Sequence, residues 1–71
     1  MSIASLEELR ELHGNVRCAA HDVYEAACHA LAAVLNGAPQ WSQDQHQARL
    51  GELQERLDAA VAAQQAWLTR V

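Results

Sequence analysis

The chain has 71 residues, enough for one small domain and close to the lower limit for a self-sufficient core. Its formal charge is −4, it has no Lys, and Arg10, Arg17, Arg49, Arg56 and Arg70 are dispersed, which excludes a phosphate-tracking patch for nucleic acid. No run reaches the roughly 18 to 20 apolar residues of a membrane span, and two cysteines do not make a disulfide framework.

The start, Ser2-Ile3-Ala4-Ser5-Leu6-Glu7-Glu8, has neither a basic opening nor a long apolar segment. No secretory signal is therefore expected, and a cytoplasmic location is. Ser5-Leu6-Glu7-Glu8 fits a capping box, with Ser5 as N-cap and Glu8 reaching back. Leu9, Leu12, Val16, Ala20, Val23, Ala27, Leu31 and Val34 then recur at steps of three or four, which predicts one face of a helix over residues 5–36. Gly14 within it costs about 1 kcal/mol relative to Ala. A break there, with a separate short helix over 5–13, is the alternative to a continuous helix. On a continuous helix, Cys18 and Cys28 lie roughly 15 Å apart, beyond the reach of about 7 Å for a disulfide. Both are expected as free thiols.

Asn36-Gly37 ends the run. Gly37 suits a left-handed position just past the helix, and Pro39 prevents continuation. Ser42-Gln43-Asp44-Gln45 reads as a second capping box, so the bend covers 37–41 and a second helix covers 42–70. Its apolar face is Leu50, Leu53, Leu57, Ala60, Val61, Trp67, Leu68 and Val71, with Arg70 favourably placed in the last turn. A connection of about five residues makes the helices antiparallel neighbours. The matched arms, each about 30 residues and roughly 45 Å long, favour a continuous first helix.

The predicted fold is therefore all-α: residues 1–71 form a single antiparallel two-helix hairpin. Its expected core is Leu9, Leu12, Val16, Val23, Leu31, Val34, Leu50, Leu53, Leu57, Val61 and Trp67. Two helices cannot enclose a core alone. Tyr24, Leu35 and Leu68 widen the apolar arc further, and fifteen Ala residues supply small surfaces for close helix approach. The hairpin is expected to complete a four-helix bundle, by homodimerisation or by docking on a partner protein.

Cys18, His21, Asp22, Glu25, Cys28 and His29 form the one cluster with metal-ligand chemistry. A closed site needs about four ligands, and the second helix supplies no Glu-x-x-His motif to complete a bundle site. The cluster is read as a solvated polar face, with no metal and no cofactor. Cys28 and His29 are adjacent, so on a helix they point apart and cannot act as a nucleophile–base pair. No glycine-rich phosphate loop or triad is discernible, and no enzyme is expected. Trp41 is either a staple against His46 or an interface anchor. The candidate partner-binding residues are Trp41, Gln40, Tyr24, Leu35 and Leu68. Gln64, a polar residue on the apolar stripe, either fixes register or lies near a solvated end.

Trp41-Ser42-Gln43 lacks the Gly that would place the chain among the W-x-G helical hairpins. In length and layout it resembles the small hairpin co-chaperones of type III secretion, through Asn36-Gly37-Ala38 and the restart at Gln40-Trp41. Pro39 and the Ala-rich first helix are departures from that pattern. The resemblance implies a subunit that pairs with a second chaperone to hold a needle protein. Size and acidity suggest another class, a small non-enzymatic regulator or inhibitor, for example a phage-encoded anti-activator, that masks a partner protein's surface. Either way the expected partner is a protein, with no direct contact to nucleic acid or membrane.

Overall fold

A computed structural model describes residues 2–70. The chain forms two helices, α1 (Ile3–Leu35) and α2 (Gln40–Thr69), packed side by side as a hairpin. Helix α1 runs unbroken through Gly14, as the matched arm lengths suggested. Neither helix is long and apolar enough to cross a membrane.

The bend forms for local reasons. Asn36 caps α1, and Gly37 adopts φ 68°, the left-handed region that glycine occupies without a Cβ clash. The Gly37 N–H donates to Val34 O at 3.1 Å, and the Ala38 N–H donates to Ala33 O at 2.9 Å. This pair is a Schellman closure, which satisfies carbonyls left open at the helix end. Helix α2 starts immediately. Pro39, with φ −61°, is its N-cap, and its carbonyl accepts from the N–H groups of Ser42 and Gln43. The Gln43 side chain donates back to Ala38 O at 2.8 Å, tying the bend to the new helix.

Both predicted capping boxes are corrected. Ser2, not Ser5, caps α1: its Oγ accepts from the Ser5 N–H at 3.2 Å. The helix therefore starts a turn earlier, and Glu7 and Glu8 fall beyond its first turn, where the dipole is felt most. Ser42 lies inside α2, because Pro39 already has the extended ψ and fixed φ that a helix start needs. Arg70 is the C-cap residue rather than part of the last turn. Val71 lies outside the described residues.

The inner faces repeat by heptads. On α1 the less exposed line runs Leu9, Leu12, Val16, Ala19, Val23, Ala26, Ala30, Ala33; on α2 it runs Gln43, His46, Leu50, Leu53, Leu57, Ala60, Gln64, Trp67. Steps alternate between three and four, averaging about 3.5 residues, the repeat of helices that wrap around each other. Among the described residues only Ala26, Ala30, Ala33, Leu53 and Trp67 are buried, and three of these five are alanines.

Leu31 and Val34, expected in the core, are instead 59% and 50% exposed. The predicted stripe advanced at the 3.6-residue period of a free helix. The packed pair keeps 3.5, so beyond Val16 the inner line passes through Ala19, Ala26, Ala30 and Ala33, with Val23 common to both lines. Leu9, Leu12, Val16, Val23, Leu50, Leu57 and Val61 are half-buried on the inner faces, and Leu53 and Trp67 are buried.

Two polar contacts link the helices at the inner seam. His13 Nδ1 donates to Gln64 Oε1 at 2.9 Å, and the His29 and His46 rings meet edge-to-face with centroids 6.5 Å apart. Arg70 and Glu8 pair at 3.9 Å at the open end. Both side chains are more than half exposed, so this pair adds little stability.

Candidate functional site

The hairpin carries its large apolar side chains on the outside at two places. The first is the bend half of α1. Tyr24, Leu31 and Leu35 are 69%, 59% and 74% exposed. Residues spaced by seven and eleven share one helical face, so these three form a line, with Ala20, Ala27 and Val34 beside them. Trp41, 66% exposed, sits in the first turn of α2 at the same end of the hairpin. The second place is the open end, where Ile3, Leu6 and Leu68 are exposed on the two helix termini.

The five candidate partner-binding residues are therefore divided. Tyr24, Leu35 and Trp41 share the bend half. Leu68 lies at the opposite end of a molecule 53 Å long. Gln40 is exposed but its amide is engaged locally, donating to Asp44 Oδ1 at 2.9 Å. Trp41 belongs to α2 itself rather than preceding its cap, so the staple geometry expected with His46 has no N-cap at Ser42 to act on. Sequence reasoning missed Leu31, Val34, Ile3 and Leu6 as surface residues. Counting the heptad forward from Leu9 and Leu12 would have placed Leu31 and Val34 on the outside.

The polar flank of α1 faces the other way. His21, Asp22 and Glu25 bring one ligand atom each to within 4.8 Å of one another, and all three are exposed. His21 Nε2 and Glu25 Oε1 are 3.7 Å apart. Beside them a shallow cleft of about 200 Å³ runs between the helices, lined by Asp22, Glu25, His29, His46 and Arg49. Two carboxylates and one imidazole from a single turn are a hard, open donor set. They leave half or more of a cation's coordination to water, and Arg49 adds a positive charge to the same cleft. Cys18 lines a second open cleft with His21 and Asp22, while Cys28 is exposed on its own; both are free thiols.

No family model, curated protein or solved structure matches the chain. The functional reading rests on its own residues.

These residues are distributed by polarity. Between Glu25 and Asp44 the chain has no Asp, Glu, Lys or Arg. Within that span lie Leu31, Val34, Leu35 and Trp41, all at least half exposed. Among the described residues no polar or charged side chain is buried. A neutral surface of large apolar side chains on a rigid hairpin is suited to docking another helical surface.

Proposed function

We propose that the chain is a non-enzymatic protein-binding module that acts by masking a surface of its partner. The observation that carries this reading is the exposed apolar surface of the bend half, Tyr24, Leu31, Leu35 and Trp41, with no Asp, Glu, Lys or Arg between Glu25 and Asp44, on a hairpin with five buried residues among those described. Apolar side chains left in water at about 25 cal/mol per Å² are a standing drive to association. Covering them, by a second copy or by a partner's helices, would complete the four-helix bundle. Trp41 at the bend is the anchor of the masking surface, because a large aromatic ring held by a rigid helix loses little entropy on burial. In this reading the chain works in the cytoplasm as a small regulator or inhibitor of a protein partner.

The thin core also favours a second reading, in which the hairpin is an obligate subunit of a chaperone complex that holds a secretion needle protein. Three of its five buried residues are alanines, which bury little apolar area.

A pull-down from the native host with wild-type and Trp41→Ala chains tests both. The substitution should weaken capture by about 1 to 3 kcal/mol, the range for an interface aromatic. It should leave the helical circular dichroism signal and melting temperature nearly unchanged, because Trp41 is exposed. Recovery of a transcription factor or enzyme supports the regulator, and recovery of a chaperone with a needle-like subunit supports the co-chaperone. Undiminished capture by the Trp41 variant would remove the bend from the interface.

A further inference from the structure

We propose that the α1 face built from Ala20, Tyr24, Ala27, Leu31 and Leu35 is covered by the same face of a second copy of this chain, running antiparallel about a two-fold axis. This rests on the association reading above and takes its second-copy version, leaving Trp41, outside this face, for a host partner.

The first argument is area. The hairpin exposes 5304 Å². A compact monomer of 7.8 kDa exposes about 4,400 Å² by the usual surface scaling. The excess, about 900 Å², is close to the roughly 800 Å² that each partner contributes to a standard stable interface. The shape agrees. The radius of gyration is 16.2 Å, against about 11 Å for a compact domain of this length.

The second argument is charge. A chain of net charge −4 resists approach by its own copy unless the touching faces are neutral. From residue 26 to residue 43 there is no Asp, Glu, Lys or Arg, so the bend-side part of the stripe is uncharged, while exposed Asp22 and Glu25 flank its Tyr24 end. Arg17, two turns before Tyr24 on the same line, is the first charge met along it. Glu7, Glu8 and Glu11 lie on the open half, outside the segment that would overlap. A partner recognised by charge finds no pairing group from residue 26 to residue 43, and an antiparallel axis at residues 27 and 28 sets Glu25 beside Ala30 of the second copy rather than beside its own counterpart.

The third argument is order along the helix. Large Tyr24, Leu31 and Leu35 are interleaved with small Ala20, Ala27 and Cys28. The stripe from 20 to 35 has its middle at residues 27 and 28. An antiparallel two-fold axis through that point sets Tyr24 against Leu31 of the second copy and Leu35 against Ala20. Each contact then occurs twice, as an isologous interface requires, and the assembly closes at two chains. Small residues at the axis let the backbones approach.

The axis passes beside Cys28, which is exposed and free, while Cys18 lies on the polar flank with His21 and Asp22. This gives the test. The purified full chain under reducing conditions should sediment at twice its 7.8 kDa mass at micromolar concentration. Leu31→Glu puts a carboxylate on each copy at the centre of the interface and should raise the dimer dissociation constant by about 100-fold or more. Diamide should cross-link the wild type and the Cys18→Ser variant into covalent dimers, but not Cys28→Ser. The cross-link map is read on folded, near-native chains, so it decides even if Leu31→Glu perturbs folding. A monomer at tens of micromolar would overturn the proposal. So would a dimer indifferent to Leu31→Glu, or cross-linking through Cys18 alone. A wild-type chain that stays monomeric but binds phosphatidylcholine vesicles would show that the face meets a lipid surface instead.

Discussion

The two halves of the hairpin distribute the same kinds of residue in opposite ways. In the open half Trp67 is buried and Leu9, Leu12, Val16 and Leu57 are half-buried, while Ile3, Leu6 and Leu68 are exposed at the tip and the acids Glu7, Glu8 and Glu11 are outside. In the bend half, α1 turns Ala26, Ala30 and Ala33 inward and leaves Tyr24, Leu31 and Leu35 in water. Along α1 the open half supplies large side chains to the seam, apart from Ile3 and Leu6 at the tip. In the bend half the large inward residues, Leu50 and Leu53, come from α2, while α1 gives the seam alanines and carries its larger apolar side chains outside. The difference shows that apolar content alone does not locate a core. Which face carries the volume decides whether a segment's apolar area is buried in the hairpin or left in water.

Four perturbations would break or sharpen this contrast. The largest effect should come from Trp67→Ala, which empties the one large buried aromatic of the open half. A loss of about 3 to 5 kcal/mol is expected in urea unfolding, whereas Tyr24→Ala on the outer face should leave unfolding nearly unchanged when measured at concentrations low enough to keep the chain monomeric. Comparable losses from both would erase the distinction between the halves. Next, Ala30→Leu should destabilise by about 1 to 3 kcal/mol, because added methylenes at a packed small position force the helices apart. A neutral or stabilising result would mean that the alanine seam is loose.

Gly37→Ala should cost about 1 to 2 kcal/mol, the penalty for a Cβ in the left-handed region. The contrast is Gly14→Ala. There a Cβ meets nothing within 4 Å and φ is not positive, so the change should stabilise by about 0.5 to 1 kcal/mol. Thermal melts of the two variants should therefore shift in opposite directions. The smallest effect concerns the polar flank. Three exposed ligand groups on one turn, His21, Asp22 and Glu25, fall short of the four of a closed site, so added zinc should raise the melting temperature by no more than about a degree or two. A large rise that disappears in His21→Ala would make the cluster a metal site.

Much of the molecule was legible in the sequence because its determinants are local. Asn36-Gly37 followed by Pro39 specifies a helix stop through one left-handed residue and a ring that fixes φ, whatever the rest of the chain does. Three-four spacing of apolar residues on both sides of that stop specifies two helices, and the short connection makes them antiparallel. Helix starts were less legible. Ser2 and Ser5 are both good caps three residues apart, and Pro39 competes with Ser42, so the sequence offers alternatives that differ by a single turn.

The inward face was decided only by tertiary structure. From the sequence, Leu31 and Val34 are better core residues than Ala30 and Ala33, since they remove more apolar area from water. In the packed pair the alanines win. Two helices stay in contact over their whole length only by keeping a 3.5-residue seam, and the large residues near the bend drift off that seam by one position. The same cause settles Gln64, which the sequence left between a register device and a solvated end. It lies on the seam, half-buried, and its partner is His13, 51 residues away. Local hydrogen bonding and dihedral preference act over a few residues and can be read from them. The choice of face is made by the second helix, and no short window of the sequence contains it.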